Sequence, residues 1–351
     1  MLVAGLVLAA VVDLSADLHA AAVKAGLPAM QASVADANGI VAHGAWGSAK
    51  GPDGPPVSNA DAFHIGSCTK PMTATVLATL VDQHKLRWDT KVVDVFPDWK
   101  KDIRPEFTPI TLADLLSHEA GVEAFGEDTE IAKVPKLTGS PIERRRAFAH
   151  FALQQPPVVA PRTAFSYSNA GYVVAAAMAE RVTGRTWETL VRERIFGPLK
   201  MTSAGFGWPE RVWGHVAGSD GKWIPSDPHG VYQLPDYLAP CGDVHMTSDD
   251  LAEFLRAHLR AMRGTATIIP PSTATVMHTK RIKSGLGFGV ASVAGFENVA
   301  THSGSADTFI TVIAISAEHD VAVAVSANAA GDAAQHAVGA MLRELLARFA
   351  R

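Results

Sequence analysis

Strand signals crowd both ends of this chain and helix signals fill its middle, and that order restricts the fold more than any single motif does. A helix is expected over residues 14–25, stopped by Gly26 and Pro28. Residues 31–46 read as a β-hairpin turning on Asp36-Ala37-Asn38-Gly39, since Asn-Gly is a strong hairpin signal. Helices then dominate from Ser67 to about residue 200. Thr111 with Asp114 forms a capping box ahead of Leu115 and Leu116. Residues 170–183 form a helix closed by Gly184, and 186–196 form another. Thr247 and Asp250 cap a further helix running through Phe254 and Leu259. Strands return at 287–293, 298–302, 308–317 and 321–328, and an amphipathic helix over 333–350 closes the chain. The simplest assembly is α+β: one antiparallel sheet built from both chain ends, flanked by helices, with a mostly helical lobe inserted. That divides a single catalytic domain, residues 13–351, into an α/β lobe (about 13–66 and 280–351) and a helical lobe (about 67–279). An active site is expected in the seam between them.

A chain of 351 residues can bury a large core, and 48% hydrophobic with 19% charged residues is the composition of a globular enzyme. The net charge of −4 comes without a basic stripe, which argues against nucleic acid or an anionic membrane as partner. The densest positive run, Arg144-Arg145-Arg146, reads as a solvated helix face rather than a phosphate site. Residues 1–12 are almost wholly apolar. They read either as a signal-peptide remnant or as a first core helix; no positive flank precedes them, and they are too short to span a bilayer. A signal would place the protein in the periplasm or outside the cell; otherwise it is cytoplasmic. The oligomeric state is not readable. Cys68 and Cys241, the 2 cysteines, make no disulfide framework. They read as two buried apolar side chains, or as one bridge if they meet in space.

Three short motifs carry chemistry. In Ser67-Cys68-Thr69-Lys70 the serine and lysine are three apart, on one helical face, so the amine can reach the hydroxyl. Pro71, lacking an N–H, fits only near a helix start, which sets Ser67 at the positive end of the macrodipole. Tyr167-Ser168-Asn169 sits in a loop just before a helix, and His302-Ser303-Gly304 ends a late strand, where the glycine lets a substrate backbone or acyl group approach closely. No Gly-x-Ser-x-Gly elbow, His-Glu-x-x-His pair or phosphate-binding Gly-Lys-Ser/Thr loop is present. The remaining histidines show no metal-ligand spacing, so neither a metal nor a cofactor is expected.

In their order and spacing these motifs resemble those of the class C serine β-lactamases, the DD-peptidases and the family VIII-type esterases. Leu115-Leu116-Ser117-His118-Glu119-Ala120-Gly121-Val122 is similar to that family's Leu-Leu-Thr-His-Thr-Ser-Gly-Leu segment. The runs FSYSNAGY (165–172), IFGPLKM (195–201) and Gly285-Leu286-Gly287-Phe288 also look like its stretches, so the resemblance covers roughly residues 28–345. It implies a transpeptidase-like fold and a serine hydrolase acting on a small ester, peptide or β-lactam through a covalent acyl-enzyme. Residue by residue, it implies Ser67 as nucleophile, Lys70 as proton acceptor or relay, and Tyr167, held near Lys70, as general base. Asn169 would bond the substrate amide or orient Lys70. The N–H groups of Ser67 and Ser305 would form the oxyanion hole.

Departures narrow the expectation. The third motif is usually Lys-Thr-Gly in class C β-lactamases, whereas here it is His302-Ser303-Gly304. A histidine near half-charged at about 6.5 replaces a permanent cation, which favours ester or D-amino-acid peptide cleavage over efficient β-lactam turnover. Ser305-Ala306-Asp307 departs from the common glycine-rich continuation. The alternative is a penicillin-binding sensor or scaffold that acylates but scarcely turns over. His118 reads as a structural hydrogen-bonding residue. Trp208, Trp213, Trp223, Tyr232 and Tyr237 read mainly as loop packing, with some able to line an acyl pocket.

Overall fold

The computed structural model describes residues 10–219, 221–230 and 233–351. Most of the apolar stretch 1–12, and Tyr232, therefore lie outside the described residues. Helix α1 (Ser15–Ala25) ends at Gly26, whose φ of +66° is the left-handed cap glycine supplies without strain. The hairpin follows as β2 (Ala29–Ala35) and β3 (Ile40–Gly47), with Asp36 Oδ1 accepting the N–H groups of Asn38 and Gly39 in the turn. From the far end of the chain come β4 (Gly289–Val293), β5 (Phe296–Ser305), β6 (Ile310–Ser316) and β7 (Val321–Ala327). With a two-residue strand β1 (Val12–Asp13), they make a seven-stranded sheet in the order β1-β3-β2-β7-β6-β5-β4. The expected union of the two chain ends is therefore the β2–β7 pair, registered from Ala35 with Ala322 to Met30 with Ala327. One pairing departs from the antiparallel expectation: β1 runs parallel to β3 at the outer edge.

Strands β2, β6 and β7 are buried along their whole length because both faces are covered. One face carries Val321, Val323 and Val325 against α1 and the last helix, α6 (Asp332–Phe349), through Leu18, Leu345 and Leu346. The opposite face, through Ile313, Ile315, Ala322 and Ala324, joins a second core shared with the central helices. These include α2 (Thr69–Asp82), α3 (Pro141–Gln154), α4 (Asn169–Thr183) and α5 (Ser248–Met262), the last packed directly on β2 and β7. Among the described residues, no helix is long and apolar enough to cross a membrane.

Several local expectations change. The helix over 186–196 is α-helical only at Trp187–Val191 and widens into a π turn over Arg192–Phe196. Within the Gly-, Pro- and aromatic-rich stretch after Phe206, Gly214–Ala217 and Trp223–Ser226 pair as antiparallel strands. The arginine run is not a uniformly solvated face. Arg144 pairs with Asp236 and Arg146 with Asp98, but Arg145 between them is fully buried against Glu180 and Glu188. Burial of Arg145 is tolerable because its guanidinium meets two carboxylates.

Candidate active site

Ser67 occupies the 3₁₀ turn Gly66–Cys68 that runs directly into α2, so it precedes the α-helix rather than lying within it. Pro71 falls in the first turn of α2, where N–H groups have no intrahelical partner to lose. The Lys70 side chain is fully buried, and Nζ donates to Ser67 Oγ at 3.0 Å and to the Cys241 carbonyl at 2.8 Å. Two rings flank the ammonium: Tyr167, centred 4.8 Å away, and Tyr172, 5.7 Å away. Tyr172 is held by its own hydroxyl, which donates to Leu116 O at 2.7 Å.

Tyr167 thus stands beside Lys70, but by the face of its ring. Its side chain is 39% exposed, and among the described residues its hydroxyl makes no hydrogen bond to Ser67 or Lys70. The ring stacks on His118 at 4.5 Å. His118 also shapes the backbone of this segment: its Nδ1 accepts the Ser168 N–H at 3.0 Å, and its carbonyl accepts the Ser166 N–H at 2.8 Å. Burial first, then Lys70 and His302, hold His118 well below the ordinary imidazole range. It is therefore neutral, with Nδ1 as acceptor and the proton on Nε2. Ser168 caps α4, its Oγ accepting the Gly171 N–H at 2.9 Å.

Asn169 opens α4 and faces the same cavity as Ser67. Its Nδ2 donates to Phe125 O at 3.4 Å, while its Oδ1 is buried without a partner. Asn169 does not orient Lys70; the Cys241 carbonyl does. A lone acceptor at this point suits a substrate amide N–H.

Strand β5 carries His302, Ser303, Gly304 and Ser305 to Ser67, and it extends past the expected 298–302 because pairing with β6 continues to Ser305 opposite Ile310. Gly304 serves protein contact rather than substrate approach. A Cβ there would stand 2.0 Å from Ile65 O and 2.8 Å from Ser67 N. Gly66, at φ +50°, is its counterpart: a Cβ would fall 2.4 Å from Ser305 O and 2.8 Å from Ser305 N. These two glycines bring the main-chain nitrogens of Ser67 and Ser305 into one contact zone, as an oxyanion hole requires.

His302 corrects a second expectation. Burial, and then the Lys70 ammonium, push it down to about 3, so it is neutral at working pH. Its Nδ1 donates to Ser303 O at 2.7 Å. Here a histidine offers a hydrogen bond and no counter-ion. Cys68 and Cys241 are both buried free thiols; burial raises each, and no bridge joins them.

The nucleophile lines one cavity, and a second opens on the Tyr167 side. One of about 150 Å³ contains Ser67, Asn169, Ser305, His64, Trp208 and Asp243. The other, about 560 Å³, contains Tyr167, His302, Ser303, Lys280 and Lys283. A larger hollow of about 810 Å³ beside Trp46 and Trp223 contains none of the motif residues. Of the loop aromatics, Trp208 lines the nucleophile cavity, tilted on His64 at 4.9 Å. Trp223 donates to Gly26 O at 2.6 Å, Tyr237 stacks on Phe148 at 4.7 Å, and Trp213 lies under Lys50 at 4.7 Å. His64, Asp243 and the Cys241 carbonyl were not singled out from sequence. His64 immediately precedes Ile65-Gly66-Ser67 but matches no catalytic pattern, and a carbonyl has no residue signature.

A family model described as Beta-lactamase matches residues 12–348. Penicillin-binding protein 4 of Amycolatopsis lactamdurans is 30% identical over 58% of this chain and 52% of its own length. D-aminopeptidase of Cereibacter sphaeroides (strain KD131) is 27% identical over 56% of this chain and 37% of its own length. The chain thus spans about half the length of the first relative and less of the second. The octameric penicillin-binding protein homologue from Pyrococcus abyssi superposes with a TM-score of 0.77 at 22% identity, covering 95% of this chain and 76% of that one, which establishes the common fold.

Proposed function

The chain belongs to the β-lactamase family, and on that premise we propose that it is a serine hydrolase that cleaves an ester or amide through an acyl-enzyme on Ser67. The observation that supports this most is the 3.0 Å bond from Lys70 Nζ to Ser67 Oγ, with the ammonium also tied to Cys241 O at 2.8 Å. The resting ammonium must first lose a proton; in its amine form Lys70 keeps an N–H for the carbonyl and accepts from the Ser67 hydroxyl, reversing the resting bond. Ser67 Oγ then bonds the substrate carbonyl carbon, and the oxyanion meets the N–H groups of Ser67 and Ser305. The proton passes to the leaving oxygen or nitrogen as its bond to carbon breaks. Water releases the acyl group by the reverse path.

Within this class, the neutral His302 favours esters and amides over efficient β-lactam turnover, since a β-lactam's carboxylate finds no cation at that position. D-amino-acid peptides and amides are in range, as the name of D-aminopeptidase suggests. Side-by-side rates on p-nitrophenyl butyrate, a D-Ala-D-Ala peptide and a chromogenic cephalosporin test this. Ester or peptide turnover above cephalosporin turnover supports the reading, and the reverse order removes it. The unattached Tyr167 hydroxyl favours a second reading, a penicillin-binding sensor in which deacylation is slow. Stable labelling by a fluorescent penicillin without turnover of any of the three substrates would favour that one.

A further inference from the structure

The cavity lined by Ser67 and the one on the Tyr167 side differ in charge as well as size. The proton that leaves Ser67 must reach the departing atom from Lys70 or Tyr167, so the leaving group lies on the Tyr167 side, in the cavity with His302, Lys280 and Lys283. The acyl half then occupies the smaller cavity, where Asn169 and Ser305 stand. That cavity has apolar walls from Phe125, Trp208 and Leu238, and its charged members are Asp128, Asp243 and Asp307, all acidic.

Asp243 is the most enclosed of the three, its side chain 19% exposed, while Asp128 and Asp307 lie open to solvent. Among the described residues the Asp243 carboxylate accepts no hydrogen bond, and its one basic neighbour is His64 Nε2, 3.6 Å from Oδ1 and beyond hydrogen-bond length. His64 itself is buried, and its Nδ1 accepts the Gly66 N–H at 3.1 Å, which leaves the proton on Nε2, the atom nearest the Asp243 carboxylate. Elsewhere the enclosed carboxylates of Asp61, Asp114, Glu119 and Glu180 are each met by an arginine. An acid whose closest N–H stands beyond hydrogen-bond length, in a narrow, partly apolar cavity beside a nucleophile, is costly to hold charged unless something else neutralises it. The buried, unpartnered Asn169 Oδ1 in the same cavity points independently to a ligand that brings N–H groups.

We infer that this cavity selects an acyl group carrying a free ammonium, with Asp243 as its carboxylate partner, so that the substrate is an α-aminoacyl ester or amide cut next to its amino-terminal residue. The inference rests on the acyl-enzyme reading above and adds the polarity of the substrate. A volume of about 150 Å³ suits one residue ahead of the scissile bond, while the larger lysine-bearing cavity takes a neutral or acidic leaving part.

The test compares kcat/KM for alanine p-nitroanilide of either hand with that of its N-acetylated form, alongside p-nitrophenyl butyrate. The full chain is expected to prefer the free amine at least tenfold. In Asp243→Asn that ratio is expected to fall close to one, while Asp243→Glu keeps most of it. Thermal melts of both variants verify folding, and because the readout is a ratio within each variant, a partial loss of folded protein does not imitate it. Turnover of the butyrate ester with no preference for the free amine, or a preference that survives in Asp243→Asn, overturns the inference and leaves the hydrolase reading standing. No turnover of any substrate by the unaltered chain overturns both.

Discussion

Lys70 and Cys241 are joined by a bond that no side-chain pattern announces: the buried ammonium donates to the Cys241 carbonyl oxygen at 2.8 Å while holding Ser67 Oγ at 3.0 Å. The carbonyl belongs to the short helix Ala239–Gly242, and Thr73 on α2 donates to the neighbouring carbonyl of Pro240 at 2.7 Å. The lysine is therefore fixed from both sides, and its direction toward the serine is set before substrate arrives.

Under the proposed mechanism, Ser67→Ala abolishes all turnover while the thermal melt stays close to that of the unaltered protein, because the side chain lies in a turn and packs little. Lys70→Ala is expected to slow acylation by about 10²–10⁴-fold, the usual span for a positioned acid–base group. Burst kinetics with an activated ester measure this step alone. Retained turnover in Ser67→Ala would remove it as the nucleophile.

Tyr167→Phe separates two contributions of one side chain. The phenyl ring keeps its contact with Lys70, 4.8 Å from the ammonium, and its stacking on His118 at 4.5 Å, while the hydroxyl is lost. Among the described residues that oxygen has no hydrogen-bond partner, and catalytic bonds of this kind often tighten only with substrate bound. Single-turnover acylation is expected to fall at least 100-fold if the phenol moves the proton. A rate near that of the unaltered protein would limit Tyr167 to its ring.

Much of this architecture is written in local chemistry. Asn38-Gly39, the Thr111–Asp114 box and Gly184 act within a few residues of themselves, so the hairpin, a helix start and a helix end appear where sequence places them. The reach of Lys70 to Ser67 and the place of Asn169 at the start of α4 are also local facts, although the meeting of the two segments is not. What escapes is long-range and main-chain. The Cys241 carbonyl, the close approach at Gly304 and the burial that silences His302 arise only once segments more than 100 residues apart are packed. Arg145 shows the same limit: one of three adjacent arginines is fully buried, and its sequence neighbours give no sign of which.

His302 converts that difference into a pH prediction. With the ring held down at about 3, it is uncharged from pH 5 to 8 and changes no charge across that range. KM for a carboxylate-bearing substrate is therefore expected to stay flat over the interval as far as His302 governs it. A histidine titrating at about 6.5 would instead make KM climb with pH. His302→Lys supplies a cation and should lower KM for acidic substrates several-fold at pH 7, with little effect on a neutral ester. A rise of KM through pH 6.5 that disappears in His302→Gln would show that the ring carries charge in the free enzyme.

A second pair of histidines should govern acid stability. Thr75, on the nucleophile helix, donates to Pro71 O at 2.7 Å, so it accepts from His258 Nε2 at 3.0 Å. His258 Nδ1 must then accept from His278 Nε2, also at 3.0 Å, and His278 Nδ1 is buried with no partner. Both rings are neutral, burial holding His258 well below the usual range and His278 at about 3. Unfolded, each binds a proton at about 6.5, so between that value and the folded one the unfolded chain holds more protons. The stability these groups contribute is complete above pH 6.5 and is lost as pH falls toward 3. For His278 the loss at pH 5 is about 2 kcal/mol. Urea melts at pH 7.5 and pH 5 should show a drop that His278→Gln reduces by about that amount, since the amide still donates to His258 but cannot titrate. If the variant loses as much stability as the unaltered protein, His278 is not the buried neutral ring this hydrogen-bond chain requires.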